Sequence, residues 1–322
     1  MKRRTFLTAM AGPVVWPLVA RAQPAKRLPH IGILLFSDQD RATIRPCLQE
    51  LAVLGYVDGK TVVIEYRDAE AHFERLPELA GELARLNPNV IYSFGGEQAP
   101  IVKRATASIP IVVVVSTDPV ASGLVASLAR PGGNVTGVTY IHERLAGKTI
   151  ELLRDAAPRV SRVAILWNPD HTDPEYRETQ RSASILGVAL QSLEVRSTGD
   201  FDVAFQAAVR ERAEALIVAG SRLMYRHRLR IGEFTSRNRL PLVGTPKWLH
   251  EVGAFLTYGP NTAELHRRAA SYVDKIIKGA RPADLPMQQP ATFELAINLR
   301  TAKTLGLTVP PTLLARADEV IE

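Results

Sequence analysis

Ile111-Val112-Val113-Val114-Val115, running straight into Ser116-Thr117-Asp118-Pro119, is the stretch whose reading decides the fold. Five β-branched residues with no polar interruption have no wet face to offer. They predict a strand buried on both sides, as in the middle of a parallel sheet covered by helices. The abrupt polar stop then places a loop at the carboxyl end of that strand. Upstream, the same alternation of short apolar runs and amphipathic stretches repeats. His30–Phe36 reads as a buried strand, followed by one helix with Ile44, Cys47, Leu48, Leu51 and Leu54 on its apolar face and Gly55 at its end. Thr61–Tyr66 is a strand, Leu76, Leu79, Ala80, Leu83 and Leu86 make a helical face, and Val90–Phe94 is a strand ending in Gly95-Gly96-Glu97.

Downstream, Arg130-Pro131-Gly132-Gly133-Asn134 is dense in turn chemistry, and Val135–Tyr140 reads as a strand that crosses into a second unit. There the pattern restarts. Strands are predicted at Val163–Trp167, Val188–Val195, Leu216–Val218 and Pro241–Val243, with helices between them. Phe255–Tyr258 reads as a second crossing, Thr262–Lys278 as a helix burying Leu265, Ala269, Tyr272, Val273 and Ile276, and the stiff Pro282–Pro290 as a third crossing before a last strand and helix. The expected fold class is α/β: two doubly wound parallel-sheet lobes joined by a three-crossing hinge. Residues 28–139 with 260–285 form the first lobe, and 140–259 with 286–322 the second.

The start of the chain sets the compartment. Lys2-Arg3-Arg4 precedes an apolar stretch of fifteen residues, Phe6–Ala20, and Ala20-Arg21-Ala22 has the form of a cleavage site. With Pro13 and Pro17 inside it and a bilayer core needing roughly 20 apolar residues, the stretch reads as an export signal over 1–22, removed after Ala22. Arg3-Arg4 before Thr5-Phe6-Leu7 resembles a twin-arginine signal. No cysteine follows the cleavage point, which excludes a lipid anchor. Loss of Lys2, Arg3, Arg4 and Arg21 takes the formal charge from +7 to +3, and no basic cluster remains to suggest nucleic acid. The single cysteine, Cys47, reads as a buried small hydrophobe.

Motifs for chemistry fail on spacing. Gly147-Lys148-Thr149 ends like a P-loop, but the glycine needed five residues earlier is His142, so the segment reads as the start of a helix. No G-x-G-x-x-G follows a strand, so no nicotinamide or flavin is expected. His72, His142, His171, His227, His250 and His266 show no ligand spacing, and no metal or other cofactor is expected. The sequon Asn134-Val135-Thr136 reads as part of a turn. What remains is a set of polar residues at strand ends, where ligands of open α/β sheets bind: Ser37, Asp38, Gly96, Glu97, Thr117 and Asp118 in the first half, and Asn168, Ser221, Arg222, Thr245, Trp248 and Tyr258 in the second. Helix capping explains each singly. Together they outline two rims of one cleft.

Ile109-Pro110-Ile111-Val112, Thr117-Asp118-Pro119-Val120, Leu128–Gly137, Tyr258-Gly259-Pro260, Tyr272–Ile276, Phe293-Glu294-Leu295, Ala302–Leu307 and Pro310–Asp318 resemble the ABC-transporter substrate-binding proteins of the type I periplasmic fold that include aromatic amino-acid binders. That resemblance implies a non-catalytic periplasmic receptor that encloses a small-molecule ligand and docks on an inner-membrane permease with its cytoplasmic ATPase; the chain is expected to act as a monomer. Its ligand would be a small carboxylated metabolite, aromatic or amino-acid-like. Where the family has a small Gly-Thr/Ser-x-Ala segment, this chain has Gly95-Gly96-Glu97-Gln98. Glu97 then suggests a cationic or hydroxyl-bearing group on the ligand, Trp248 and Tyr258 a stacked ring, and Arg222 a carboxylate. A ligand-sensing module for a membrane receptor and a twin-arginine-exported enzyme are the alternatives.

Overall fold

A computed structural model of the protein describes residues 27–140, 143–171 and 175–322, so the expected export signal lies outside the described residues. The strands are β1 (His30–Leu35), β2 (Val63–Asp68), β3 (Val90–Phe94), β4 (Ile111–Val115), β5 (Val135–Thr139), β6 (Arg162–Trp167), β7 (Ala189–Glu194), β8 (Ala215–Val218), β9 (Leu242–Gly244), β10 (Leu256–Pro260), β11 (Phe293–Asn298) and β12 (Glu319–Ile321). They form two sheets. The first runs β2-β1-β3-β4-β5 and is parallel throughout. The second runs β12-β11-β10-β9-β8-β6-β7 and is parallel except where β10 meets β11.

β4 is buried along its whole length, and its period of two divides it between two cores. Ile111, Val113 and Val115 face the helices Leu76–Arg85 and Gln98–Ala105. Val112 and Val114 face Arg45–Val53 and Thr262–Ile277, where Cys47 is buried and its thiol is pushed up to about 12 by that burial. The second sheet is covered in the same way, with Val163, Ile165 and Ile217 on one face and Ala164, Leu166 and Leu216 on the other.

The one helix expected after β1 is two, Asp38–Thr43 and Arg45–Val53, because Pro46 has no N–H to continue the ladder and instead opens a new helix. The C-terminal end carries more than the expected strand and helix: β11, two short helices and the edge strand β12.

Three segments pass between the lobes. β5 leads to the helix Glu143–Ala156 on the second sheet. β10 leads through Asn261, whose side chain caps Thr262–Ile277 by accepting from Glu264 N, back to the first lobe. The third crossing comes after Gln288. The sequence puts the change of lobe between 285 and 286, but Met287 is buried in the first core and Gln288 N donates to Gly137 O at 3.0 Å. Gly137 has φ 138°, and a Cβ there would lie 2.1 Å from Val113 O, so only glycine allows β5 to run so close to β4. Among the described residues no helix is long and apolar enough to cross a membrane.

Candidate functional site

The carboxyl ends of both sheets open on one cleft of about 780 Å³. The first lobe contributes Phe36, Ser37 and Asp40 after β1, Phe94, Gly95 and Glu97 after β3, Ser116 after β4 and Tyr140 after β5. The second contributes His171 after β6, Ser221, Arg222, Tyr225 and Arg226 after β8, and Thr245, Lys247 and Trp248 after β9.

Charged groups join the two rims at the centre. The Arg222 fork meets Asp40 in two bonds, Nη1 to Oδ1 at 3.1 Å and Nη2 to Oδ2 at 3.0 Å, and Nη2 also donates to Phe94 O at 2.9 Å. Its plane lies over Phe36, 4.7 Å from the ring centre, with Phe94 at 5.8 Å. Asp40 is held from its own side, since Phe36 N donates to Oδ2 at 2.8 Å. Beneath it Gln98 is fully buried, and with its amide turned to satisfy both ends it donates to Phe94 O and accepts from Phe36 N. Beside this pair, Glu97 Oε1 lies 3.3 Å from His171 Nδ1, and His171 Nε2 lies 3.2 Å from Ser116 Oγ. Burial works against the Glu97 charge, but His171 and then Arg222 outweigh it and hold the carboxyl at about 2. Glycine makes the approach possible: a Cβ on Gly95 would come within 2.7 Å of Arg222 Nη2, and one on Gly96 within 3.2 Å of His171 Cε1.

Around this cluster the walls are aromatic. Tyr225 and Trp248 meet edge-to-face at 5.4 Å, and Arg228 lies over Tyr225 while bonding Glu251 at 3.1 Å. Under Phe94, His266 is fully buried, bonded through Nδ1 to Tyr92 OH, and pushed down to about 3 by its burial.

A family model for ABC transporter substrate binding protein matches residues 31–321. The chain belongs to that family. Within it, the chain is 23% identical over 256 residues to a tyrosine-binding protein of Clostridioides difficile (strain R20291), covering 79% of this chain and 73% of the relative. Two solved structures share its fold. The ABC domain in complex with L-Trp from Streptococcus pneumoniae has a TM-score of 0.84 at 23% identity, over 91% of this chain and all of that one. A conserved domain protein from Vibrio cholerae O1 biovar eltor has a TM-score of 0.85 at 25% identity, with the same coverage.

In this substrate binding protein, the residues singled out from sequence divide by geometry. Ser37, Glu97, Ser221, Arg222, Thr245 and Trp248 border the cleft. Thr245 donates to Glu175, a carboxylate buried in the second lobe. Asp38 is on the solvent side of its helix. Gly96 and the buried Thr117 pack against each other behind the rim. Asp118 and Asn168 accept hydrogen bonds from backbone N–H groups two or three residues on, closing their own turns. Tyr258 packs into the second core and tilts against Phe293, so of the two rings expected to stack on a ligand only Trp248 borders the cleft. Arg222 was expected to meet a ligand carboxylate, and its fork is taken by Asp40 instead. Asp40, Gln98, Ser116 and His171 were missed. Asp40 carried a signal: Ser37 and Asp40 have the spacing of a capping box, in which an acid three residues into a helix reaches back to the entering backbone.

Proposed function

We propose that this protein is the periplasmic receptor of an ABC importer, a binding protein and not an enzyme, that captures a small aromatic, amino-acid-like metabolite between its lobes. Export is by the twin-arginine route, and the receptor then docks as a monomer on an inner-membrane permease. One lobe comprises 28–139 with 260–288, where Met287 and Gln288 extend the 260–285 expected from sequence, and the other comprises 140–259 with 289–322. They move about three crossings, and a ligand touching both rims favours the closed form because only that form makes both sets of contacts.

The observation that carries this reading is the cleft itself, built from both lobes and walled by Phe36, Phe94, Tyr140, Tyr225 and Trp248. Aromatic walls suit a ring, and a volume of about 780 Å³ falls in the range of small-molecule sites. The tyrosine-binding relative and the L-Trp complex support an aromatic amino acid. Arg226 lines the cleft, where its guanidinium can meet the carboxylate.

Thermal unfolding with a metabolite panel tests the proposal. L-tryptophan, L-tyrosine or a related aromatic acid at a hundred times its Kd should add about 2.7 kcal/mol by mass action, a rise of several degrees in Tm. Mass spectrometry of the native protein should find the same compound retained. A panel in which nothing stabilises the protein while one compound is chemically converted would overturn the reading.

A further inference from the structure

Asp40, Arg222, Glu97 and His171 sit where the lobes touch, and their partners come from opposite lobes. Such contacts exist only while the lobes are together, so whatever free energy they supply goes to the closed form. They are also sheltered. The side chains of Asp40 and Arg222 are 5% and 17% exposed, which removes the solvent screening that makes surface ion pairs nearly worthless. The carboxylate is oriented before the guanidinium reaches it, by Phe36 N, and the rings of Phe36 and Phe94 await the arginine plane. Gly95 and Gly96 keep the entry free of side chains.

We infer that the Asp40–Arg222 fork, flanked by Glu97–His171, is a latch between the lobes: a set of positioning residues that fixes the open-to-closed equilibrium and through it the affinity for ligand, and not a clamp for a ligand's carboxylate. This rests on the two-lobe receptor reading. The fork pairs one carboxylate with one guanidinium, so it neutralises itself and asks no charge of the ligand. Apparent affinity then follows the share of molecules that can close, since a binding-competent state populated one-tenth as often weakens binding tenfold.

The test places spin labels on Val53→Cys and Ile185→Cys, exposed positions on the first and second lobes, while the native Cys47 is too buried to react. Interlobe distances are measured on the protein alone, then with L-tryptophan as probe. Asp40→Asn and Arg222→Gln should each shift the distribution to longer distances, the double variant no further than the larger single one, and Arg222→Lys, which keeps the charge but loses the fork, should fall between. Tryptophan affinity should drop on the order of tenfold in each single variant, with the circular dichroism spectrum unchanged. If Asp40→Asn fails to fold, Arg222→Lys decides alone. Distance distributions that coincide with the parent's overturn the latch. If the parent binds no aromatic acid, the ligand reading falls instead, and the distances measured without ligand still judge the latch.

Discussion

The two rims of the cleft are built on the same βα plan and carry opposite charge. On the first lobe the ionisable lining groups with a net charge are Asp40 and Glu97, with no lysine or arginine beside them among the described residues. On the second lobe the acids Glu251 and Glu319 are each matched within that lobe, by Arg228 at 3.1 Å and Lys247 at 2.8 Å, so Arg222, Arg226 and His171 are left to face across. Burial of apolar surface makes each lobe, whereas charge complementarity brings the lobes together. The two tasks therefore answer to different perturbations, and that separation can be attacked experimentally.

The largest effect belongs to the cores. Phe255 is fully buried in the second core among Val163, Ile165 and Ile297. Phe255→Ala should cost about 3–5 kcal/mol, seen in calorimetry as an early transition of the second lobe, with the first lobe melting near its original temperature. A loss no greater than that of a rim substitution would erase the distinction between fold and closure.

Acid should reach the first core before it reaches the latch. His266 is held neutral by burial, with a folded value of about 3 against 6.5 unfolded. The unfolded chain therefore takes up the proton first, and stability that is full above pH 6.5 falls by about 1.4 kcal/mol per pH unit on the way down to 3. Glu97 has the opposite sense: its folded value is lowered to about 2, so its contribution is complete above about 4.5 and is lost as pH falls through 2. Chemical denaturation at pH 7, 6, 5 and 4 should show the His266 slope, and His266→Phe should flatten it. A slope that survives that substitution would place the acid sensitivity elsewhere.

Most of the fold was legible because it rests on periodicity. The run Ile111–Val115 announces burial on both faces, and the restart of the pattern at Val163 announces a second sheet. The site was legible as a location but not as a set of contacts. Asp38 and Asp40 differ by about 200° around a helix, and only the turn taken after Ser37 decides that Asp40 points inward. Ser116 and Thr117 exchange roles through strand parity, with one in the cleft and the other behind Gly96. Arg222 stood out as a bidentate donor, but its acceptor lies 182 residues away in sequence, and no local pattern records that pairing. His171 was weighed only as a metal ligand, and its partners, Glu97 and Ser116, belong to the opposite lobe.

The smallest predicted effect is also the sharpest control. Lys247 and Glu319 make an ion pair at 2.8 Å in the same cleft, at a spacing as good as that between Arg222 and Asp40. Both belong to the second lobe, however, and their side chains are 58% and 46% exposed. Water screens the pair and both partners stay together whether the hinge is open or shut, so Glu319→Gln should change stability by no more than about 0.5 kcal/mol and leave interlobe distances where they are. Lys247 is raised by its bond to Glu319, yet at neutral pH it is protonated with or without that partner, so the substitution should add no pH dependence between 6 and 8. If Glu319→Gln opens the lobes as far as Asp40→Asn does, then proximity of charge alone governs closure, and neither burial nor the crossing from one rim to the other sets the latch apart.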